Sequence, residues 1–400
     1  MNRAAKRTAI TGIGVVASNG RGRDVFFKSC SEGLTGFVEC KLFSTEKLST
    51  RQFGEISGDF PPASASPTCD TRLKSLAREA LAEAMSDGGL NRAQIAALGT
   101  RAWLCFGTLL ATTDPIMEYA TAKKSGKTLP GYLENINDYL PHLRDLCGVK
   151  GASFVSSAAC AASTMAAGMA YDFIGNGMCD LCVVGGADPL TKMAAYGFHS
   201  LKLLSGGLCN PFDENRDGIN IGEGAAFFIF EEYEAALSRG ARIYAEVMGY
   251  GLANDAYHVT SPDPEGLGVI HAMKESLREA GLVAGDVSHV NAHGTGTPIN
   301  DQMELQAIEK LYGDAKKPSI TSTKALIGHC MGASGAIELA ALVMAVKNQA
   351  YMPLPNLERP IETDCFIDSV ACPYEINYGV SNSYAFAGNI ASVLVGRSER

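Results

Sequence analysis

Strand-like and helix-like runs alternate along this chain, and they do so twice. From the N-terminus the order is RTAITGIGV, RLKSLAREALAEAMSDGG, AWLCFGT, TMAAGMAYDFIGNGM, DLCVVGGAD and GAAFFIFEE. After about residue 241 it resumes with RIYAEVMGYG, GVIHAMKESLREAGL, HVNAHGT, QMELQAIEKLYG, PSITSTK, GASGAIELAALVMAVKNQA and NIASVLVG. Such alternation builds α/β folds with largely parallel sheets. The shared rhythm predicts two similar halves, 1–240 and 241–400, with ligands meeting between them, although no clean residue-level repeat accompanies it. No low-complexity linker or charge run divides the chain.

Composition narrows the function. The net charge of −9 argues against broad nucleic-acid binding, which needs a basic footprint. No apolar run reaches the ~18–20 residues of a membrane span. The opening MNRAAKRTAITGIGVVA has basic residues before an apolar stretch, but glycines break it, so it reads as a first strand and turn rather than a signal peptide. A cytoplasmic protein is the expectation. The 12 cysteines, without a secretory signal, argue for reduced thiols. Cys179 and Cys182 form a C-x-x-C, but no second ligand pair accompanies them, and CVVGG reads as a buried strand. No metal site is expected.

Two motifs mislead. GIGVVA at 12–17 fits a dinucleotide fingerprint, but SNGRGRD follows where an apolar helix should receive the pyrophosphate. SGKT at 125–128 imitates the end of a phosphate loop, yet Thr121 stands where its first glycine should be.

VSSAACAASTMAAGMA at 155–170 places one thiol, Cys160, where a strand gives way to a small-residue helix. A helix N-terminus favours the thiolate, and the alanines leave room for a substrate. A buried structural Cys is the common alternative. NAHGTGTP at 291–298 sets His293 after a strand, and TSTKALIGHCMGASGAIE at 321–338 sets Lys324 and His329 at another strand end. One thiol, two imidazoles and one ammonium at strand ends suit a ligand site, because ligands gather at the carboxyl ends of parallel strands.

These stretches, with TGIGVV at 11–16, VVGGAD at 183–188, PFDENRDG at 211–218, GEGA at 222–225, NDAYH at 254–258 and NSYAFAG at 382–388, resemble the β-ketoacyl-[acyl-carrier-protein] synthases of the type II elongating group, in the thiolase superfamily. The likeness runs over nearly the whole chain. It implies the thiolase fold, with duplicated halves in a five-layered αβαβα arrangement, and a homodimer or a heterodimer with a related subunit. It implies a catalytic Cys160, His293 and His329 with Lys324, a Glu338 that pairs with Lys324, and a gating Phe386.

The implied reaction is a decarboxylative condensation. Cys160 takes an acyl group from the phosphopantetheine arm of an acyl carrier protein, with no bound cofactor. The N–H groups of Cys160 and near Phe386 would form an oxyanion hole. Malonyl-carrier protein then loses carbon dioxide, with His293 and His329 donating to the enolate. Fatty-acid and polyketide or polyene pathways both use such enzymes. A non-catalytic partner subunit and a coenzyme A-dependent thiolase are the competing readings; the first usually lacks the Cys, and the second fits the two histidines and the lysine less well.

The chain also departs from the family. The loop at 385–388 reads AFAG rather than GFGG, and alanine resists positive φ, so a differently shaped loop is expected. Segment 40–70 and the pocket-side CFGTLLATTDPI at 105–116 match poorly. A helix over 72–86 has Leu73, Leu76, Ala77, Ala80, Leu81 and Ala84 on one face, leaving Arg72, Lys74 and Arg78 off that stripe as candidate contacts for the acidic carrier protein.

Overall fold

The computed structural model describes residues 6–58, 60–61, 71–126 and 135–398. In the first half the sheet strands are β1 (Thr8–Ala17), β2 (Ala102–Gly107), β3 (Ser153–Ser156), β4 (Leu181–Asp188) and β5 (Gly224–Glu232). In the second half they are β6 (Ala245–Asn254), β7 (His289–Asn291), β8 (Ser319–Thr321), β9 (Tyr378–Tyr384) and β10 (Asn389–Arg397). The path across the sheet is β8-β7-β9-β10-β6-β1-β5-β4-β2-β3. Numbered within its own half, each set of five runs third, second, fourth, fifth, first. Each half also has the same directions, two parallel pairings followed by two antiparallel ones. The duplication that the sequence shows only as rhythm is therefore complete in topology.

The sheets are mixed rather than largely parallel. Only residues 385–388 separate β9 from β10. That is too short for a crossover, so the two strands pair as a hairpin.

The halves touch through β1 and β6, which pair only at Thr8–Ile10. Beyond that corner helices α2 (Ala162–Gly175) and α5 (Ser334–Asn348) lie between the two sheets, each packed on strands of both halves and on the other. α5 is buried continuously from Ser334 to Val346, as a helix apolar all round requires. Helix α1 (Arg72–Asp87) covers β1 and β5 on the outside, and α3 (Leu267–Ala280) covers β6 and β10. Together these give the five-layered αβαβα thiolase arrangement.

Glycines set the layer spacing. A Cβ on Gly12 would stand 2.2 Å from Ala84 O of α1, and one on Gly14 2.0 Å from Ala80 O. In the second half, Gly249 and Gly251 would meet Ser276 O and Ala272 O of α3 at 2.0 and 1.9 Å. GIG in β1 thus serves helix packing inside a strand. Ser125 of the SGKT stretch ends helix Thr113–Lys124, while Lys127 and Thr128 lie outside the described residues. Of segment 40–70, Gln52–Phe53 pairs with Val38–Glu39, and residues 59 and 62–70 lie outside the described residues. The CVVGG stretch lies in β4, buried throughout, and the eleven described cysteines are free. Among the described residues, no helix is long and apolar enough to cross a membrane.

Candidate active site

The two halves build equivalent turns over the central helices. β3 leads to a 3₁₀ turn at Ala159–Ala161 and then to α2; Met331–Ala333 is the same turn before α5. Ala159 and Met331, the first residue of each turn, have φ 49° and 50°. Both are held in the left-handed region that L-residues normally avoid. Cys160 occupies the second position of one turn and Gly332 that of the other. Asp188, at the end of β4, accepts from Gly332 N at 2.7 Å and from Thr108 Oγ1 at 2.6 Å, tying the second turn to the segment after β2.

His329 precedes that second turn. Its Nε2 lies 3.1 Å from Cys160 Sγ. Its Nδ1 accepts the Met331 N–H at 3.1 Å and lies 2.9 Å from Ser334 Oγ. A nitrogen that accepts an N–H carries no proton, so the proton of the neutral ring resides on Nε2.

His293 follows β7. Lys324, on the short helix Lys324–Ile327, donates to His293 O at 2.7 Å, lies 3.3 Å from His293 Nδ1 and forms a buried ion pair with Glu338. These are three acceptors for three ammonium protons. His293 Nδ1 is therefore also an acceptor, which leaves the ring proton on Nε2. Glu304, on helix α4 (Pro298–Tyr312), accepts the N–H groups of His293 and Gly294 at 2.8 Å each and fixes the backbone here.

Burial, followed by the Lys324 charge, holds both imidazoles well below the usual histidine range. Burial pushes the Cys160 thiol up to about 12, against the pull of Lys324. Burial thus opposes the helix N-terminus, which favours the thiolate. Cys160, His293 and His329 place their ligand-type atoms within 4.8 Å of one another. Such a set would suit a cation in other surroundings, but the Lys324 ammonium repels one here.

A cavity of about 440 Å³ reaches these three residues and is also lined by Phe198, Thr295, Thr297, Ile299, Val259 and Phe386. The Phe386 ring stacks on Phe198 at 5.7 Å. Among the described residues, neither Cys160 N nor Phe386 N donates to a backbone carbonyl. The second alanine of the loop adopts the positive φ that alanine resists. Ala387 takes φ 62°, held by Ala387 N to Val259 O and Asn254 Nδ2 to Ala387 O, both 2.8 Å.

Of the candidate docking residues, Arg72 is corrected. It is 3% exposed and bonded to Glu223 and to Ile56 O, because the first turn of α1 points into the protein. Lys74 is half-buried, with Nζ 5.4 Å from the centre of the Tyr139 ring, and Arg78 is exposed. No residue of α1 lines the cavity. Sequence reading missed Ser334, Glu304 and Asp188. Ser334 lies within the quoted GASGA, but nothing in sequence singles out Glu304, whose partners are backbone N–H groups.

A duplicated fold of this kind, with its thiol held against two neutral imidazoles over a central helix, defines a thiolase-fold acyltransferase. The chain belongs to the β-ketoacyl synthase family: the "Beta-ketoacyl synthase, N-terminal domain" matches residues 5–236 and the "Beta-ketoacyl synthase, C-terminal domain" residues 244–358. It is 32% identical over 413 residues to "3-oxoacyl-[acyl-carrier-protein] synthase 2" of Staphylococcus aureus strain COL, covering 98% of this chain and 99% of that one. "The ishigamide ketosynthase/chain length factor" superposes with a TM-score of 0.88 at 30% identity, covering 99% of this chain and 100% of that one. A chain of "AntDE:AntF (apo): type II PKS acyl-carrier protein in complex with its ketosynthase bound to the hexaketide" gives 0.87 at 27% identity, covering 99% of this chain and 100% of that one.

Proposed function

We propose that the protein condenses malonyl-carrier protein with an acyl group held on Cys160. The observation that carries this reading is the convergence of two Nε2–H donors, on His293 and His329, beside one thiol. Cys160 Sγ attacks the acyl thioester while the Cys160 and Phe386 N–H groups receive the oxyanion. The bond to the pantetheine sulfur breaks, and the proton lost by Cys160 is the one the departing thiol gains, so the transfer needs no net base. Malonyl-carrier protein then enters, and its carbon–carbon bond to the carboxylate breaks. Both Nε2–H groups donate to the enolate oxygen. The α-carbon attacks the acyl carbonyl, a carbon–carbon bond forms, and the Cys160 thiolate leaves and takes up the one proton the reaction consumes. Lys324 keeps His293 Nδ1 an acceptor and is itself held by Glu338.

The active form is a dimer joined through β3, the half-buried edge strand, with a related subunit as the alternative partner. The complete thiol and imidazole set disfavours a non-catalytic subunit.

Intact mass after incubation with acyl-carrier proteins of several chain lengths tests the reading. The expected gain equals one acyl group, is absent in Cys160→Ala, and reveals the preferred length. No adduct from any donor would sink it.

A further inference from the structure

The duplication supplies an internal comparison for one side chain. Ala162 and Ser334 are the first residues of α2 and α5, and each follows the 3₁₀ turn of its own half. Their backbones match, at φ −55°, ψ −49° for Ala162 and φ −51°, ψ −52° for Ser334. Both side chains are buried. Alanine therefore meets what the turn and the helix start require, and it is the better helix former of the two. The Ser334 hydroxyl adds something the turn does not need.

Ser334 is 3% exposed, and among the described residues its Oγ has one partner, His329 Nδ1 at 2.9 Å. That nitrogen already accepts the Met331 N–H at 3.1 Å and has no proton to give. The hydroxyl proton thus points at Nδ1, since a buried O–H keeps a partner. The Met331 N–H fixes the tautomer without help from Ser334. A second donor on the same nitrogen draws further electron density from the ring and makes Nε2–H a stronger donor, as chained hydrogen bonds polarise one another. It also favours the neutral ring, because bonding to the uncharged form opposes protonation. The other titratable groups around this imidazole are Cys160 Sγ at 3.1 Å, His293 with its ring centre at 5.6 Å, the Lys324–Glu338 pair, and Asp188, which holds the turn through Gly332 N. Among the described residues, none of them bonds to Nδ1.

We propose that Ser334 is a positioning residue for the condensation, whose hydroxyl strengthens the His329 Nε2–H donor as the enolate forms and keeps that ring neutral against acid. The inference rests on the condensing reading above, because the enolate oxygen is what this Nε2–H serves. His293 has the Lys324 ammonium at its Nδ1 instead of a hydroxyl. Ser334 therefore acts on one of the two donors and not on the other.

The experiment follows decarboxylation of malonyl-carrier protein by the unaltered protein and by Ser334→Ala from pH ~5 to ~8, the range that spans imidazole titration. Alanine already stands at the equivalent position of the first half, so the variant should keep its denaturation midpoint in urea. The expected result is a kcat lower by about three- to tenfold, the span of one hydrogen bond, with an unchanged KM for the carrier. The acid limb of the rate profile should move up by about half a pH unit or more, toward the ~6.5 of a free imidazole. In a His329→Ala background the same substitution should cost nothing further, because the hydroxyl acts only through that ring. An unchanged kcat or an unmoved acid limb in Ser334→Ala overturns the proposal. So do losses that add in the double variant, or a KM that rises as kcat falls. Ser334→Thr keeps the hydroxyl, and a threonine variant with the unaltered urea midpoint that still behaves as the alanine one overturns it as well. Absence of decarboxylation by the unaltered protein would instead reject the condensing reading, and this proposal with it.

Discussion

His293 and His329 reach the same chemical state by different routes, one facing an ammonium and the other a backbone N–H. In each case Nδ1 is occupied and Nε2 keeps the proton. A pKa held well below the usual range means that the neutral donor persists to lower pH than an ordinary histidine allows. The decarboxylation rate should therefore stay level from pH 8 down through ~6.5, where a free imidazole titrates. A pH–rate profile that halves near 6.5 in step with imidazole protonation would contradict the donor assignment. Replacing either histidine with alanine should lower condensation by ~10²–10³, the cost of one oxyanion donor. The Lys324–Glu338 pair has its own signature. Glu338→Gln strands an ammonium among buried groups and should destabilise by about 3–5 kcal/mol. Lys324→Met strands the carboxylate, and the double variant should lose clearly less than the sum in urea titrations. Additive losses would deny the coupling. Motifs made the catalytic residues legible. Their protonation states were not, because Met331 N–H, Ser334 and Glu304 act through positions that only folding creates.

At the scale of elements, the apolar stripe of α1 was readable and its arginine was not. Leu73, Leu76, Ala77, Ala80, Leu81 and Ala84 are all buried, as helical spacing requires. Arg72 joins them because its partner, Glu223, lies 151 residues away and also accepts Ile56 N and Leu190 N. Periodicity carries no information about a buried partner at that distance. The GIG motif shows the reverse case. Its glycines were visible, but their purpose follows only from the helix that lies on them and from the matching pair, Gly249 and Gly251. With Ala272 O 1.9 Å from an added Cβ, Gly251→Ala must push α3 off the sheet. Overpacking of this kind costs ~1–3 kcal/mol, and a rigid backbone contact places it at the upper end. Gly207→Ala, with nothing within 4 Å of the added Cβ, is the matched control. Equal denaturation midpoints for the two variants would refute the close-packing account.

For the whole molecule, the two halves differ most at their outer edges. The edge of the second half, β8, is buried, and its first residue, Ser319, bridges to Phe366 on the outer side, whereas β3 is half-buried along its length. Its register settles which groups are unused. Leu104 N donates to Ala152 O and Thr108 N to Ser156 O, both at 3.1 Å, so the backbone groups of Ala152, Phe154 and Ser156 face β2. In a parallel ladder the intervening residues point the other way, so Ser153 and Val155 present their N–H and C=O groups outward. An unprotected edge of this kind invites pairing with a second chain. Phe154, packed with Trp103 and Phe173 at 5.7 and 5.0 Å, gives the edge an apolar flank. Val155→Pro removes one outward N–H and leaves the ladder to β2 intact, because the bonds to β2 use the neighbouring residues. It should convert a dimer to a monomer in light scattering, with an unchanged far-ultraviolet spectrum. A variant that remains dimeric would place the interface elsewhere, and an unaltered chain that is monomeric until a related subunit is added would identify the heterodimer.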